Sequence, residues 1–193
     1  MDFFLISSNG IIITTAETTS ILNTYSFLKT TLYRLLLRSF PRRSEERKII
    51  QSFAADRIEG TDKSFLTLLD ELGKINEESK RIARGRLEGF FPRIVLNMGK
   101  NEQDLAVGVK LRSIVRKNLG VQIEYIGYLR YDETVALSIL RRQPCFMINP
   151  NSDFSMCLDR LARKLIAYPD TPQLMLYEDN EDLANLGAEV NAL

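Results

Sequence analysis

The chain has 193 residues, of which 45% are hydrophobic and 26% are charged, and its formal net charge is +1. A chain of this length and composition is expected to fold as one globular domain with a sizeable core. It contains no histidine, which excludes Ser-His-Asp and Cys-His catalysis and most zinc sites.

Two cysteines, Cys145 and Cys157, have no CxxC spacing, which favours a compartment with reduced thiols. No run of the sequence approaches the roughly 20 apolar residues that a membrane span needs. The first residues also lack the basic and apolar segments of a signal peptide. We therefore expect a cytoplasmic protein without a transmembrane segment.

Charge is unevenly distributed along the chain. No Lys or Arg follows Lys164, so the last segment is acidic, whereas residues 34–48 hold a cluster of six basic side chains. Nucleic acid or an acidic membrane surface could recognise that cluster. The alternative is a solvated helix face, because Glu45 and Glu46 are interleaved with the basic residues.

The first predicted elements are a strand and a long helix. Residues 10–15 form a short β-branched apolar run after a turn signal, which is typical of a strand buried in a parallel sheet. Thr18 can cap the helix that follows, which has apolar residues at helical spacing as far as Leu35 and ends near Pro41. Residues 42–90 are charged and contain no strand signal, so they are interpreted as a helical insertion.

The alternation of strand and helix then resumes. Strands are predicted at 93–98 and 121–129, helices at 101–119, 132–142 and from 153 to about 167, and an acidic, mobile tail over 168–193. The whole indicates a single α/β domain over 1–167 with a partial parallel sheet of about three strands. In such sheets ligands bind beyond the carboxyl ends of the strands, so the loops after Thr15, Asn97 and Leu129 are the candidate site.

Four ordered motifs resemble one family. TTAETTS at 14–20 is similar to the TTPEPTS segment of flagellar-type MinD relatives, and VLNM at 95–98 is similar to their VVNM strand end. GYLRYDETV at 127–135 resembles their GYIPYDxxV, and RRQP at 141–144 with NPNS at 149–152 resembles their RxxKPF and YPxSP closing segment. The chain thus resembles the C-terminal half of a MinD/ParA-type P-loop ATPase, closest to the FlhG-like branch of flagellar number and site regulators.

The resemblance implies a nucleotide-binding role for six residues. In the family the strand-end Asn, here Asn97, reads the adenine base, and an amide supplies both the donor and the acceptor that an adenine edge needs. The alternative for Asn97 is a loop amide that caps the next helix. The resemblance also places Met98, Arg130, Tyr131, Asp132 and Glu17 at the nucleotide.

The sequence departs from the family pattern in the same loops. Arg130 replaces a proline, so it either stacks on adenine or changes the shape of the pocket. Ala16 and Thr18 replace two further prolines, which makes the first loop less rigid. Glu17 either positions the nucleotide side of that loop or is an exposed carboxylate that favours the helix dipole.

The family's phosphate-binding machinery is absent from the sequence. ATP hydrolysis there needs a glycine-rich loop ending in GKS or GKT and an acidic magnesium ligand, and no GxxxxGKS or GxxxxGKT occurs here. The resemblance implies that this part precedes residue 1, and that ATP with magnesium binds the complete protein but not this chain tightly. We expect the chain alone to be inactive as an enzyme.

A missing central strand has consequences for partners. The resemblance places the phosphate-loop strand beside residues 11–13, which would otherwise form an unpaired edge. We therefore expect a homodimer or a partner that supplies the N-terminal half, with further protein partners on the helical insertion and nucleic acid as a weaker possibility. The predicted function is a nucleotide-dependent switch that positions flagella or chromosomes; the alternative is a non-catalytic interaction module derived from the same fold.

Overall fold

A computed structural model describes residues 2–6, 10–55, 65–167 and 180–191. Within these ranges the chain is α/β, with a three-stranded parallel sheet flanked by helices. It divides into two compact units. The helical unit comprises Met1–Ser7, Leu22–Phe91 and Leu111–Ile123, and the sheet unit comprises Ser8–Ile21, Pro92–Lys110 and Glu124–Leu193. No described helix is long and apolar enough to cross a membrane.

The sheet unit contains all three strands. They are β1 (Ile11–Thr15), β2 (Arg93–Gly99) and β3 (Glu124–Arg130), and they pair in parallel in the order β1-β2-β3. Parallel pairing of strands that are separated by long helical segments is what the alternating pattern of the sequence predicts. Strand β3 begins three residues later than predicted, because residues 121–123 are not paired in the sheet, although Val121 and Ile123 are buried.

Ten helices connect or flank these strands within the described ranges. They are α1 (Asp2–Ile6), α2 (Thr18–Ser39), α3 (Glu45–Ala55), α4 (Phe65–Ile75), α5 (Glu77–Glu88), α6 (Gln103–Leu119), α7 (Glu133–Arg141), α8 (Cys145–Ile148), α9 (Asp153–Ala167) and α10 (Glu181–Asn191). The predicted helical insertion corresponds to α3, α4 and α5, although residues 56–64 lie outside the described ranges. Two helices, α8 and α10, were not predicted.

Leucine packing forms the core of the helical unit. Leu28, Leu32 and Leu36 of α2 and Leu68 and Leu72 of α4 are fully buried. The rings of Tyr33 and Phe65 lie 4.8 Å apart in the same unit. The helical spacing of these leucines is the amphipathic pattern that predicts helices packed on one face.

The core of the sheet unit lies between β3 and α9. Val95, Ile126 and Leu129 pack with Cys157 and Leu161 of α9. Both cysteines are buried free thiols, and burial raises the pKa of the Cys157 thiol. Ser152 caps α9, since its Oγ accepts a hydrogen bond of 3.2 Å from the Ser155 amide, as the Asn-Ser-Asp sequence predicts.

Helix α10 occupies part of the region predicted as an acidic tail. It contacts β3, and Oδ2 of Asp182 accepts a 2.8 Å hydrogen bond from the Tyr125 amide of that strand. Leu183 and Leu186 are buried beside it. The sequence also predicts that residues 168–179 are mobile, and these residues lie outside the described ranges.

Candidate functional site

The carboxyl ends of the three strands meet on one side of the sheet unit. Thr15, the last residue of β1, is the register partner of Asn97, and Gly99 at the end of β2 is the partner of Arg130. The three loops singled out in the sequence therefore start from adjacent points. We call this region the carboxyl end of the sheet, where ligands of parallel α/β sheets bind.

Asn97 lies within β2, at an irregularity in its pairing with β3. Its Oδ1 accepts a 2.9 Å hydrogen bond from the amide of Met98, and Met98 has a positive φ of 56° with an exposed side chain. Positive φ is uncommon for a residue with a side chain and is often found at functional sites. Among the described residues, Nδ2 of Asn97 has no hydrogen-bond partner. Its amide thus keeps a donor for a ligand.

Gly99 and Tyr128 are packed so closely that a side chain at position 99 is excluded. A Cβ on Gly99 would overlap Cζ and Oη of Tyr128. The Tyr128 hydroxyl lies 3.0 Å from the Asn101 carbonyl oxygen and 3.2 Å from Oδ2 of Asp104. Burial and the nearby Asp104 carboxylate raise the pKa of Tyr128, so the phenol stays protonated and donates.

Side chains at and just before the start of α6 accept hydrogen bonds from the backbone amides there. Asn101 Oδ1 accepts from the Gln103 amide at 2.9 Å, and Asp104 Oδ2 accepts from the amides of Lys100 at 2.7 Å and Asn101 at 3.2 Å. Since these side chains already satisfy the amides, this helix terminus is not an anion site. The anchored loop instead fixes the position of Lys100.

Arg130 and Tyr131 lie at the end of β3. Nη1 of Arg130 is 2.8 Å from Oδ2 of Asp153, a half-exposed pair. The Tyr131 amide donates to the Gly99 carbonyl at 2.8 Å, while its ring is 52% exposed and has the Lys100 ammonium 6.0 Å from its centroid. An exposed aromatic face beside a cation is a surface on which a planar base can stack.

The remaining two predicted site residues have structural contacts. Asp132 is the N-cap of α7 and accepts from the amides of Thr134 at 2.7 Å and Phe154 at 3.3 Å. Burial alone would raise the pKa of Asp132, but these hydrogen bonds outweigh it and the pKa is lowered. Glu17 is exposed, and its carbonyl accepts from the Ile21 amide in the first turn of α2.

A cleft of about 280 Å³ opens beside Arg130, the one predicted site residue in its lining. Its lining includes Lys100, Tyr128 and Arg130 from the carboxyl end of the sheet, and Gly187 and Asn191 from α10. Asn191 donates to Glu102 at 2.6 Å, which fixes α10 to the loop before α6. Among the described residues no cluster of Cys, Asp and Glu side chains suits a metal ion.

No protein-family model matches the chain, and no curated protein is significantly similar to it.

The structure brings together four of the six predicted residues, Asn97, Met98, Arg130 and Tyr131, around the ends of β2 and β3. Asp132 lies next in sequence, but its carboxylate is engaged by α7 and α9. Glu17 follows the end of β1. Sequence reasoning missed Lys100 and Tyr128; the only signal for Lys100 was its place just after a strand end.

Proposed function

We propose that this chain forms the base-recognition side of a MinD/ParA-like ATPase that acts as a nucleotide-dependent positioning switch. The observation that carries the proposal is the arrangement of Asn97 and Tyr131 at the carboxyl ends of adjacent parallel strands. The four-motif resemblance supports it, since the same residues fall in the segments that contact the base in that family.

The contacts at this end of the sheet suit an adenine. Nδ2 of Asn97 is an unengaged donor, and Oδ1 accepts one hydrogen bond from Met98 and keeps a second lone pair. Adenine offers N7 as an acceptor and N6 as a donor. The exposed Tyr131 ring offers a stacking surface. Arg130 precedes Tyr131 and is the register partner of Gly99, and its guanidinium is paired with Asp153 at the same end of the sheet.

The phosphates and magnesium are expected on a different segment. The 193 residues contain no glycine-rich loop ending in GKS or GKT, and the described acidic residues form no cluster for a cation. We infer that ATP and magnesium bind when a partner that supplies the N-terminal half of the fold pairs with β1. The function served would be the positioning of flagella or chromosomes in the cytoplasm.

The alternative is a non-catalytic interaction module on the same fold. The ion pair of Arg130 with Asp153 favours this alternative, because a guanidinium held by a carboxylate is less available to a nucleotide. Nucleic-acid binding by residues 34–48 has less support, since Arg34 and Arg38 both pair with Asp2.

Competition between bases tests the proposal. Saturation-transfer NMR on the 193-residue chain should detect weak binding of adenosine and weaker binding of guanosine. Asn97→Ala should reduce the affinity for adenosine about tenfold, because the hydrogen bonds between the amide and the adenine base are lost. Asn118→Ala, in the last turn of α6, is the matched control and should leave binding unchanged.

Two results would contradict the proposal. Equal binding of adenosine and guanosine would show that the chain does not distinguish the two bases. Adenosine binding by Asn97→Ala equal to that of the wild type would show that Asn97 does not contact the base. Calorimetry with ATP should show no tight binding by the chain alone; tight binding would place a phosphate site within these residues.

A further inference from the structure

Helices α7 and α8 carry a cluster of strongly exposed apolar side chains. Ile139, Leu140 and Met147 are 72%, 81% and 77% exposed, and Phe146 is half-exposed. We call these four residues, with Arg141 and Arg142, the α7–α8 patch. Apolar side chains this exposed protrude from the surface, and their concentration within nine residues is unusual for a surface that meets only water.

The charged residues within the segment that forms the patch have one sign. Arg141 and Arg142 are exposed, and residues 134–152 contain no Asp or Glu. The nearest acidic residues in sequence, Glu133 and Asp153, begin α7 and α9. The patch therefore combines apolar side chains with two arginines that form no ion pair with any described residue.

Several backbone amides of the patch donate hydrogen bonds within the segment itself. Arg142 is left-handed, with φ of 52°, and its amide and that of Gln143 donate to Ile139 and Ser138 at 3.2 and 3.1 Å. Further along, the Met147 amide donates to the Pro144 carbonyl at 2.9 Å. These bonds satisfy the amides of Arg142, Gln143 and Met147, which lowers the cost of removing that part of the backbone from water.

The base of the patch is anchored in the sheet unit. Cys145, the first residue of α8, is buried, and its sulfur lies 3.7 Å from the Ser155 hydroxyl of α9. The exposed side chains thus project from a fixed support.

From these observations we propose that the α7–α8 patch docks the protein on an anionic lipid surface. The protruding side chains enter the boundary between headgroups and acyl chains, and the two arginines contact lipid phosphates. We favour a lipid surface over a protein partner because the patch has no acidic group that could pair with the basic side chains of a protein surface of mixed charge. This inference does not depend on the nucleotide proposal.

Vesicle flotation tests the docking surface. The full chain should float with vesicles made of equal parts phosphatidylcholine and phosphatidylglycerol, and should not float with phosphatidylcholine alone. Leu140→Ser should lower binding about tenfold, because one buried leucine is lost from the apolar contact. Arg141→Gln combined with Arg142→Asn should also lower it about tenfold, and asparagine tolerates the left-handed backbone.

The control is Ile166→Ser, which removes an 85% exposed apolar side chain from the other end of α9 and should leave flotation unchanged. Circular dichroism should show all variants folded, since each change is on the surface. No flotation with anionic vesicles, or equal flotation of the wild type and Leu140→Ser, would overturn the proposal. Self-association that Leu140→Ser abolishes, in a chain that does not bind vesicles, would overturn it in favour of a protein interface.

Discussion

At the scale of single residues, Gly99 sets the geometry of the carboxyl end of the sheet. Its missing side chain lets the Tyr128 ring lie against β2 and reach Asn101 and Asp104. We expect Gly99→Ala to destabilise the protein by about 3 kcal/mol, because a new Cβ overlaps a partly buried ring. Urea denaturation measures this change.

Gly85→Ala is the matched control for that substitution. Gly85 lies within α5, and a Cβ added there would have no other atom within 4 Å, so alanine should stabilise by about 0.5–1 kcal/mol. Tyr128→Ala should relieve most of the cost of Gly99→Ala in the double variant. Additive effects of the two substitutions would show that the ring and the glycine are not in contact.

The carboxylate of Asp132 makes the stability of the fold sensitive to acid. Its pKa is lowered in the folded state by the hydrogen bonds from Thr134 and Phe154, which outweigh the effect of burial. The stabilisation is therefore present above the unfolded pKa of about 4 and is lost as the pH falls through the folded pKa.

Asp132→Asn keeps an N-cap but removes this pH dependence. The difference in unfolding free energy between wild type and variant should be largest near neutral pH and should shrink below about pH 4. Denaturation across this pH range measures it, with Glu133→Gln as a control for charge alone. A difference that stays constant with pH would contradict the assignment.

At the scale of elements, a buried ion pair joins β2 to β3. Arg93 and Glu124 are register partners, each 3% exposed, with Nε and Oε2 3.3 Å apart. Glu124→Leu should cost about 3–5 kcal/mol because it removes the carboxylate that faces a buried guanidinium. The double variant Arg93→Met, Glu124→Leu should recover most of that loss, as calorimetric unfolding can show. A double variant less stable than either single one would contradict this account.

The elements also show what the sequence could predict. All three strands were predicted, although β3 begins three residues later than expected, and α9 was predicted from residue 153 to about 167. Helix α8 has four residues, too few for a periodic pattern to develop. Helix α10 was missed because its acidic composition masked the buried pair Leu183 and Leu186.

Only part of the candidate site could be predicted from the sequence. Asn97 and Arg130 could be placed at one end of the sheet because parallel strands align their carboxyl ends. The contacts of Tyr128 with Gly99 and Asp104, and of Arg130 with Asp153, join residues that are distant in sequence. One sequence carries no signal for such pairs.

At the scale of the whole molecule, β1 is the point at which association is expected. It pairs only with β2 among the described residues, and Ile13 is 65% exposed on a strand without charge or proline. Such a strand promotes pairing with another chain. We expect the wild type to associate in size-exclusion chromatography with light scattering, and Ile13→Lys to shift it towards the monomer.

Leu66→Lys is the control for that experiment, since Leu66 is similarly exposed but lies on α4. It should not change the oligomeric state. A wild-type chain that elutes as a stable monomer would contradict the proposed pairing at β1.

The most direct test of base recognition is a map of backbone amide shifts on titration with adenosine. Our account predicts that the shifts concentrate at residues 97–100 and 130–131, where Asn97, Lys100 and Tyr131 lie at the carboxyl end of the sheet. Shifts confined to the helical unit, or no shifts at saturating adenosine, would contradict it.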